Sequence, residues 1–274
     1  MKNDFVYPTP TEIRHRIEAV KSKKYRIFLK SVYVLGAARV GELTGRMCSR
    51  DSQTINPRKN FVYGPKGTDV SLDSYQVENI NTVDMIKVMN KVMTLENALP
   101  ELEVALFRIN IEKRKFNHLK EEPMSRLIGI PMDSAYEPWT KEIYDYFVQA
   151  KDRFVFPFTR QDIWRYITKI NPIFEGLGYP IEKYTIKKEG KIVKDVARKM
   201  NPFKLHGLRH LRTKELFETY NFDSLDFMSY IGWSVGTSSG MGGAGGVPAM
   251  LPRYASIYEG WKRYFPKLLR KRTY

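Results

Sequence analysis

The stretch at 203–220 reads FKLHGLRHLRTKELFETY, and its apolar residues recur with the spacing of a helix. His206 and Arg209 stand three residues apart in it, so a helix places both side chains on one face. Together they offer a ring donor and a planar fork of donors, which suit a phosphate oxygen. A surface pair or a capping contact has the same spacing, so this motif needs support from elsewhere in the chain.

A second pair with this spacing lies upstream, in GAARVGEL at 36–43. Arg39 and Glu42 stand at the start of a helix that we predict over VGELTGRM. One interpretation is an ordinary surface ion pair. The other is an arginine that its own carboxylate holds in position while the guanidinium faces an anion.

The rest of the chain predicts a mixed fold, mainly α with small β-hairpins. Capping residues indicate helices that begin after Thr9 and Asp223, and periodicity indicates helices at 83–98, 139–151 and 159–176. Alternating segments at 106–112 and 126–132 predict a hairpin with a long basic tip, and a second hairpin turns at Glu189-Gly190. Residues 50–75 look like polar turns.

The charge of the chain indicates a polyanionic partner. The 274 residues carry a net charge of +16, which favours nucleic acid as the partner, although a basic protein without such a partner is the plain alternative. Basic residues cluster at 113–115, 187–204 and 262–272. The candidate DNA-binding residues are Arg114, Lys187, Lys188, Lys191, Lys194, Lys204 and Arg253.

Other classes of function find little support. The single cysteine and four histidines have no zinc-like spacing, so we expect no metal and no cofactor. No spanning segment is visible, so we expect no membrane partner. The glycine tract GMGGAGGV at 240–247 contains G-x-G-x-x-G, but Pro248 and Pro252 stand where the helix of a nucleotide site would run. We interpret 235–252 as a flexible tether.

Four motifs in order carry a resemblance to a known family. GAARVGEL is followed by the basic tip at 113–115, by LHGLRHLRT, by YIGWS and by RYASIY. This order resembles the tyrosine recombinases, the site-specific DNA integrases, invertases and resolvases. Tryptophan stands in YIGWS where most members have histidine and some have tryptophan. The resemblance runs from about residue 8 to about residue 260.

The resemblance implies the catalytic-domain fold of that family and cleavage of DNA through a covalent 3′-phosphotyrosine, without metal or ATP. It implies one catalytic domain over 1–274, without the family's usual N-terminal core-binding domain, and a nucleophile segment with a basic tail at 253–274. The implied catalytic residues are Arg39, Lys113, His206, Arg209, Trp233 and Tyr254, with Glu42 and His210 in support. Lys115 and Lys66 are alternatives for the lysine. Tyr258 is the alternative nucleophile, and Tyr264 is the least favoured candidate.

Two other functions stay open at this point. One is a type IB topoisomerase or telomere resolvase, which shares the chemistry, and the other is a DNA-binding protein with a degenerate site. The recombinase reading implies a DNA-dependent homo-oligomer, and the 260–274 segment has apolar and basic character suited to docking on a neighbouring subunit. It also implies a cytoplasmic, nucleoid-associated protein of a prokaryotic cell, a virus or a mobile element.

Overall fold

A computed structural model describes residues 8–36, 39–46, 62–77, 89–91, 101–111, 125–178, 181–189, 191–199, 203–232 and 260–269. These ranges are about half helical, and they contain a small three-stranded antiparallel sheet and a separate two-stranded hairpin. The helices are α1 (Pro10–Glu18), α2 (Lys23–Val34), α3 (Val40–Leu43), α4 (Thr140–Ala150), α5 (Arg160–Arg165, continued by a π-helical turn at Tyr166–Ile170), α6 (Leu205–Glu218), α7 (Ser224–Ile231) and α8 (Gly260–Leu268). The strands are β1 (Val70–Gln76), β2 (Glu101–Asn110), β3 (Ser125–Pro131), β4 (Ile181–Lys188) and β5 (Lys191–Lys199).

Two helix starts follow the predicted capping chemistry. The hydroxyl of Thr9 accepts a hydrogen bond from the backbone N–H of Glu12, with Pro10 at the first helical position of α1. The carboxylate of Asp223 accepts from the N–H groups of Leu225 and Asp226 at the start of α7. These caps satisfy N–H groups that have no partner inside a helix.

The two predicted hairpins are confirmed; β2 begins at Glu101, earlier than expected, whereas β3 has the expected length. β2 pairs with β3 so that Phe107 stands opposite Ile128, and β4 pairs with β5 on either side of Glu189. The prediction for 50–75 was wrong in part, because β1 begins at Val70 and pairs with β2. β1 is polar and mostly exposed, so it lacks the alternation that marks a half-buried strand, and its partner strand holds it in place.

Two predicted helices end earlier than expected. The helix at VGELTGRM stops at Leu43, where Thr44 turns to an extended backbone and Gly45 donates to the carbonyl of Phe156. The helix at 159–176 stops at Ile170 through its π-helical turn. The predicted helix at 83–98 lies outside the described residues except for 89–91.

The sheet lies between two helical layers. Residues opposite each other in register share a face, so Tyr75 and Gly129 lie on the face that contacts Trp261 of α8. Phe107 lies on the other face and packs edge-on against Phe147 of α4. Because both faces are covered, the middle of β2 is buried at four successive positions, Val104–Phe107.

In the helical layer that contains α4, α2 is the central helix and packs against α1, α4 and α6. A buried ionic network fixes α6 in this layer: Arg212 of α6 lies 2.6 Å from Glu215 and 3.3 Å from Glu137. Arg14 of α1 donates to Glu137 at 2.8 Å. Arg209 lies one helical turn before Arg212. The network that fixes α6 therefore also fixes the backbone position from which the Arg209 side chain extends.

The C-terminal helix packs on its own chain. Trp261, Tyr264, Phe265 and Leu268 of α8 are buried against α7 and the sheet. In this structure the apolar side chains of residues 260–268 pack within the chain, and docking of 260–274 on a neighbouring subunit stays a prediction. Their apolar face is already covered by the chain's own core.

Candidate functional site

The site begins where α2 ends and α3 starts. Gly36 closes α2 in the left-handed region, with φ of 68°. A Cβ at this position would lie 2.7 Å from the backbone oxygen of Tyr230 in α7. Only glycine allows this approach, which brings the end of α2 next to α7.

Arg39 and Glu42 form the pair that their spacing predicts. The Arg39 guanidinium donates to Glu42 Oε1 at 3.1 Å, and the Arg39 backbone N–H donates to Glu42 Oε2 at 3.0 Å. The Glu42 carboxylate is fully buried, whereas the Arg39 side chain is 28 % exposed. This is no ordinary surface ion pair, because the carboxylate is out of solvent while the guanidinium still reaches it.

Arg209 enters the same cluster from α6. It is 6 % exposed, and burial lowers its pKa to about 10. The Glu42 carboxylate opposes this shift, and the guanidinium groups of Arg39 and Arg126 add to it. Arg209 is therefore still a cation at neutral pH. Arg39 and Arg126 nearby are also cations, so a bound anion reduces the repulsion among the three.

Arg126 is the member of the cluster that the sequence analysis missed. Its two terminal nitrogens lie 3.3 Å and 3.4 Å from Glu42 Oε2, and its side chain is 2 % exposed. A signal for it exists in the sequence: Arg126 precedes Ile128 and Ile130 at alternate positions of β3, on the buried face. A charge in register with a buried apolar face indicates a buried partner.

Among the described residues, the cluster holds three positive charges around the negative charge of Glu42. The guanidinium groups belong to three separate parts of the fold, the start of α3, the strand β3 and the helix α6. Because the excess charge is only partly neutralised and Arg39 is accessible, this arrangement can accept an oxyanion such as a phosphodiester. It supplies preorganised donors for negative charge that develops on oxygen.

The two histidines of the second motif lie beside each other on the surface. His206 stands in the first turn of α6 and His210 one turn later, with ring centroids 4.7 Å apart in an edge-on arrangement. Both are exposed. His206 and Arg209 stand three residues apart on α6, but His206 is exposed beside His210 whereas Arg209 is buried, so the structure does not bring the two side chains together in the way that their spacing predicts.

α7 directs the chain toward Arg126 where it ends. Gly232 ends α7 with φ of 73°, and a Cβ there would lie 3.0 Å from Nη1 of Arg126. Gly232 is followed by Trp233. Several predicted site residues lie outside the described part of the chain: Lys113, Arg114, Lys115, Trp233, Arg253, Tyr254 and Tyr258.

Tyr264, the least favoured nucleophile, is a core residue. It is fully buried, and its hydroxyl accepts a hydrogen bond from the N–H of Gly129 at 2.9 Å. Burial raises its pKa well above the ordinary value, and the nearby Tyr230 adds to this. A buried hydroxyl that stays protonated does not serve as a nucleophile for an external substrate.

The alternative lysine occupies a different environment. Lys66 precedes β1 and forms an isolated bridge with Phe154, and its ammonium group lies 5.9 Å from the centre of that ring. It borders a groove of about 660 Å³ that Arg46 and Arg153 also line. Asp152 also lines the groove, so three cations and one carboxylate leave it net basic, which suits a nucleic-acid backbone as well as a single reacting group.

The basic residues of the second hairpin follow its two strands. Lys187 and Lys188 lie at the end of β4, and Lys191 and Lys194 lie in β5, with Lys188 opposite Lys191 beside the turn. Lys204 is exposed at the N-terminal boundary of α6. The hairpin thus leads directly into the helix that carries His206 and Arg209.

Neither a cation site nor a membrane helix is found in the described ranges. They hold no group of three or more histidine, cysteine, aspartate or glutamate residues arranged to bind a metal ion. None of their helices combines the length and the apolar character needed to cross a membrane.

Comparison with known proteins gives no assignment. No protein-family model, no curated protein and no solved structure matches this chain. The interpretation of the site therefore depends on its residues and their geometry.

Proposed function

We propose that this protein is a site-specific DNA recombinase or integrase that cleaves and rejoins DNA strands through a covalent 3′-phosphotyrosine. The observation that carries the proposal is that the buried Arg209 lies close enough to the Arg39–Glu42 pair for the charges of both residues to act on it. The two arginines belong to separate motifs of the sequence. Their meeting supplies the paired guanidinium groups that an attack on a phosphodiester requires.

The proposed reaction is a transesterification. The Tyr254 hydroxyl attacks phosphorus, the bond from the tyrosine oxygen to phosphorus forms, and the bond from phosphorus to the 5′ oxygen of the DNA breaks. His206 assists removal of the tyrosine proton, and Lys113 protonates the leaving 5′ oxygen. Arg39 and Arg209 bind the non-bridging oxygens, and Trp233 supports the phosphate or the tyrosine through its indole N–H. A 5′ hydroxyl reverses the step, so no ATP is needed.

The charge distribution supports double-stranded DNA as the substrate. The net charge is +16, and the basic hairpin at 181–199 leads into α6. Phosphate contacts of this kind add affinity without reading sequence. In the proposed reaction the protein assembles on DNA as a homo-oligomer, in the nucleoid of a prokaryotic cell or on the DNA of a virus or mobile element.

The proposal is tested by covalent capture. Purified protein is incubated with a pool of nicked duplexes whose central segment is randomised, and DNA that stays attached after denaturation in detergent is sequenced. We expect a recovered consensus site and an adduct that Tyr254→Phe abolishes. Tyr144→Phe, which removes the hydroxyl of a half-buried tyrosine on α4, serves as the matched control and should form the adduct as the wild type does.

The other outcomes separate the alternatives. An adduct of full yield in Tyr254→Phe moves the nucleophile to Tyr258. Relaxation of supercoiled plasmid without sequence preference identifies a type IB topoisomerase. Salt-dependent DNA binding without any adduct identifies a DNA-binding protein and ends the recombinase proposal.

A further inference from the structure

The Glu42 carboxylate has two guanidinium partners with different access to solvent. Arg39 binds Glu42 Oε1 and is 28 % exposed, whereas Arg126 binds Glu42 Oε2 and is 2 % exposed. An incoming phosphodiester can therefore reach the Arg39 guanidinium directly, whereas both terminal nitrogens of Arg126 face Glu42. The two arginines differ in what they can do, although they share one carboxylate.

Arg126 is held in place from two sides. Its terminal nitrogens face Glu42, and the backbone of Gly232 packs so closely that a Cβ there would lie 3.0 Å from Nη1 and 3.2 Å from Cδ. Its Nε is buried and makes no hydrogen bond among the described residues. An arginine confined in this way stays on Glu42 while other groups move.

This arrangement solves a problem of buried charge. When a phosphodiester draws the Arg39 guanidinium toward itself, a fully buried carboxylate loses one of its cations. A buried carboxylate without a counter-ion is strongly unfavourable, so Glu42 alone would compete with the phosphate for Arg39 and Arg209. A second, immobile guanidinium keeps Glu42 neutralised throughout.

We propose that Arg126 is a positioning residue, the fixed counter-ion of Glu42 that leaves Arg39 and Arg209 available to bind a phosphodiester. The proposal rests on the proposed function, since it names how the same arginine pair is kept available. Arg126 itself does not contact the substrate. Without it, Glu42 retains Arg39 and Arg209, and the phosphate must displace them from a carboxylate.

The test compares three variants of the full chain on the consensus DNA recovered by covalent capture. In Arg126→Met we expect the single-turnover rate of adduct formation to fall by about tenfold to a hundredfold, which is less than the loss of about a hundredfold to a thousandfold for a donor that contacts the reacting group, because Arg126 acts through Glu42. DNA affinity should change by less than about threefold, because most phosphate contacts lie on the wider basic surface. Arg126→Lys should recover part of the rate.

The decisive variant removes both buried charges. Arg126→Met combined with Glu42→Gln takes away the competing carboxylate, so its rate should exceed that of Arg126→Met alone. A double variant that is as slow as, or slower than, the single variant overturns the proposal. If the second substitution restores part of the rate lost in the first, the effects of the two substitutions are not additive, which shows that Arg126 and Glu42 are coupled.

A matched control separates positioning from stability. Lys30→Met also removes a buried cation from its carboxylates, Glu18 and Glu142, in an ion pair that shares no residue with the arginine cluster or with the network of Arg212. After correction for the folded fraction, Lys30→Met should react at the wild-type rate. A fall equal to that of Arg126→Met would show that loss of any buried ion pair suffices, and the proposal would be wrong.

A second readout keeps this inference distinct from the recombinase proposal. Inorganic phosphate is titrated into each protein while the guanidinium N–H signals are followed by NMR. We expect phosphate to bind the wild type and to bind Arg126→Met about tenfold more weakly. If the wild type forms no adduct with any DNA, the recombinase proposal fails while the phosphate titration still decides the role of Arg126. Equal phosphate affinity in the wild type and in Arg126→Met overturns the proposed role of Arg126.

Discussion

Replacement of Tyr264 by phenylalanine tests how α8 is attached to the sheet. The substitution removes only the hydroxyl, so the ring keeps its contacts with Phe222 and Tyr230, whose ring centroids lie 5.5 Å and 5.0 Å away. The hydroxyl is the acceptor for the N–H of Gly129, at 2.9 Å. β3 lies at the edge of the sheet, and α8 covers this donor.

The magnitude follows from the cost of an unsatisfied buried donor. Tyr264→Phe leaves the N–H of Gly129 buried without its acceptor, which costs about 1–3 kcal/mol of unfolding free energy. For a chain of this length, each kcal/mol lowers the melting temperature by about 2–4 °C. The loss should appear as a lower midpoint of urea unfolding with an unchanged slope.

The assay has a control and a functional arm. Tyr144→Phe removes the hydroxyl of a half-buried tyrosine on α4 and should change stability by less than about 0.5 kcal/mol. Tyr264→Phe should still form the covalent DNA adduct, since its phenol is fully buried. A variant as stable as the wild type would refute the reasoning on the hydrogen bond. Loss of the adduct from fully folded Tyr264→Phe would refute the exclusion of Tyr264 as nucleophile.

Three further outcomes are expected. In Asp223, partial burial raises the pKa, but hydrogen bonds from the Asp226 N–H, Arg263 and Lys267 outweigh it and hold the pKa well below the ordinary value. The stabilising contribution of Asp223 is thus complete above the unfolded pKa of about 4 and is lost as the pH falls below it. The difference in free energy of unfolding between the wild type and Asp223→Asn, measured by urea unfolding, should therefore become smaller in acid. Arg212→Met should cost about 3–5 kcal/mol in the same assay, because it breaks two buried ion pairs and leaves Arg14 as the remaining guanidinium beside Glu137 and Glu215 among the described residues, and a loss under 1 kcal/mol would contradict this. The pKa of Arg209 is lowered to about 10, so the affinity of the wild type for inorganic phosphate should stay constant from neutral pH to about 9 and fall as the pH rises through 10. In Arg209→Ala the affinity, measured in the same way by NMR, should be low at every pH and should show no fall near pH 10.

Parts of the fold were predictable because local interactions determine them. The caps at Thr9 and Asp223 involve residues two or three positions away, so the sequence displays both partners. The pairing of β2 with β3 follows from apolar alternation on both strands. β1 was missed for the opposite reason, since its polar residues gain their strand conformation from hydrogen bonds to β2.

The site divides in the same way. The spacing of Arg39 and Glu42 predicts their contact, because both belong to one turn at the start of α3. The meeting of that pair with Arg209 could be expected only through resemblance to other proteins. Arg126 carried a signal in its register with Ile128 and Ile130, but that signal indicates a buried partner without naming it.

The sequence by itself determined which segments form helices and hairpins, the basic charge of the chain, and the local pairing of Arg39 with Glu42. Only the tertiary structure decided that Arg126 shares Glu42, that Arg209 is buried beside them, and that α8 covers the sheet of its own chain. Local patterns depend on neighbours within a few residues. The charge cluster depends on packing between segments far apart in the chain, where close approaches at Gly36 and Gly232 set which side chains meet.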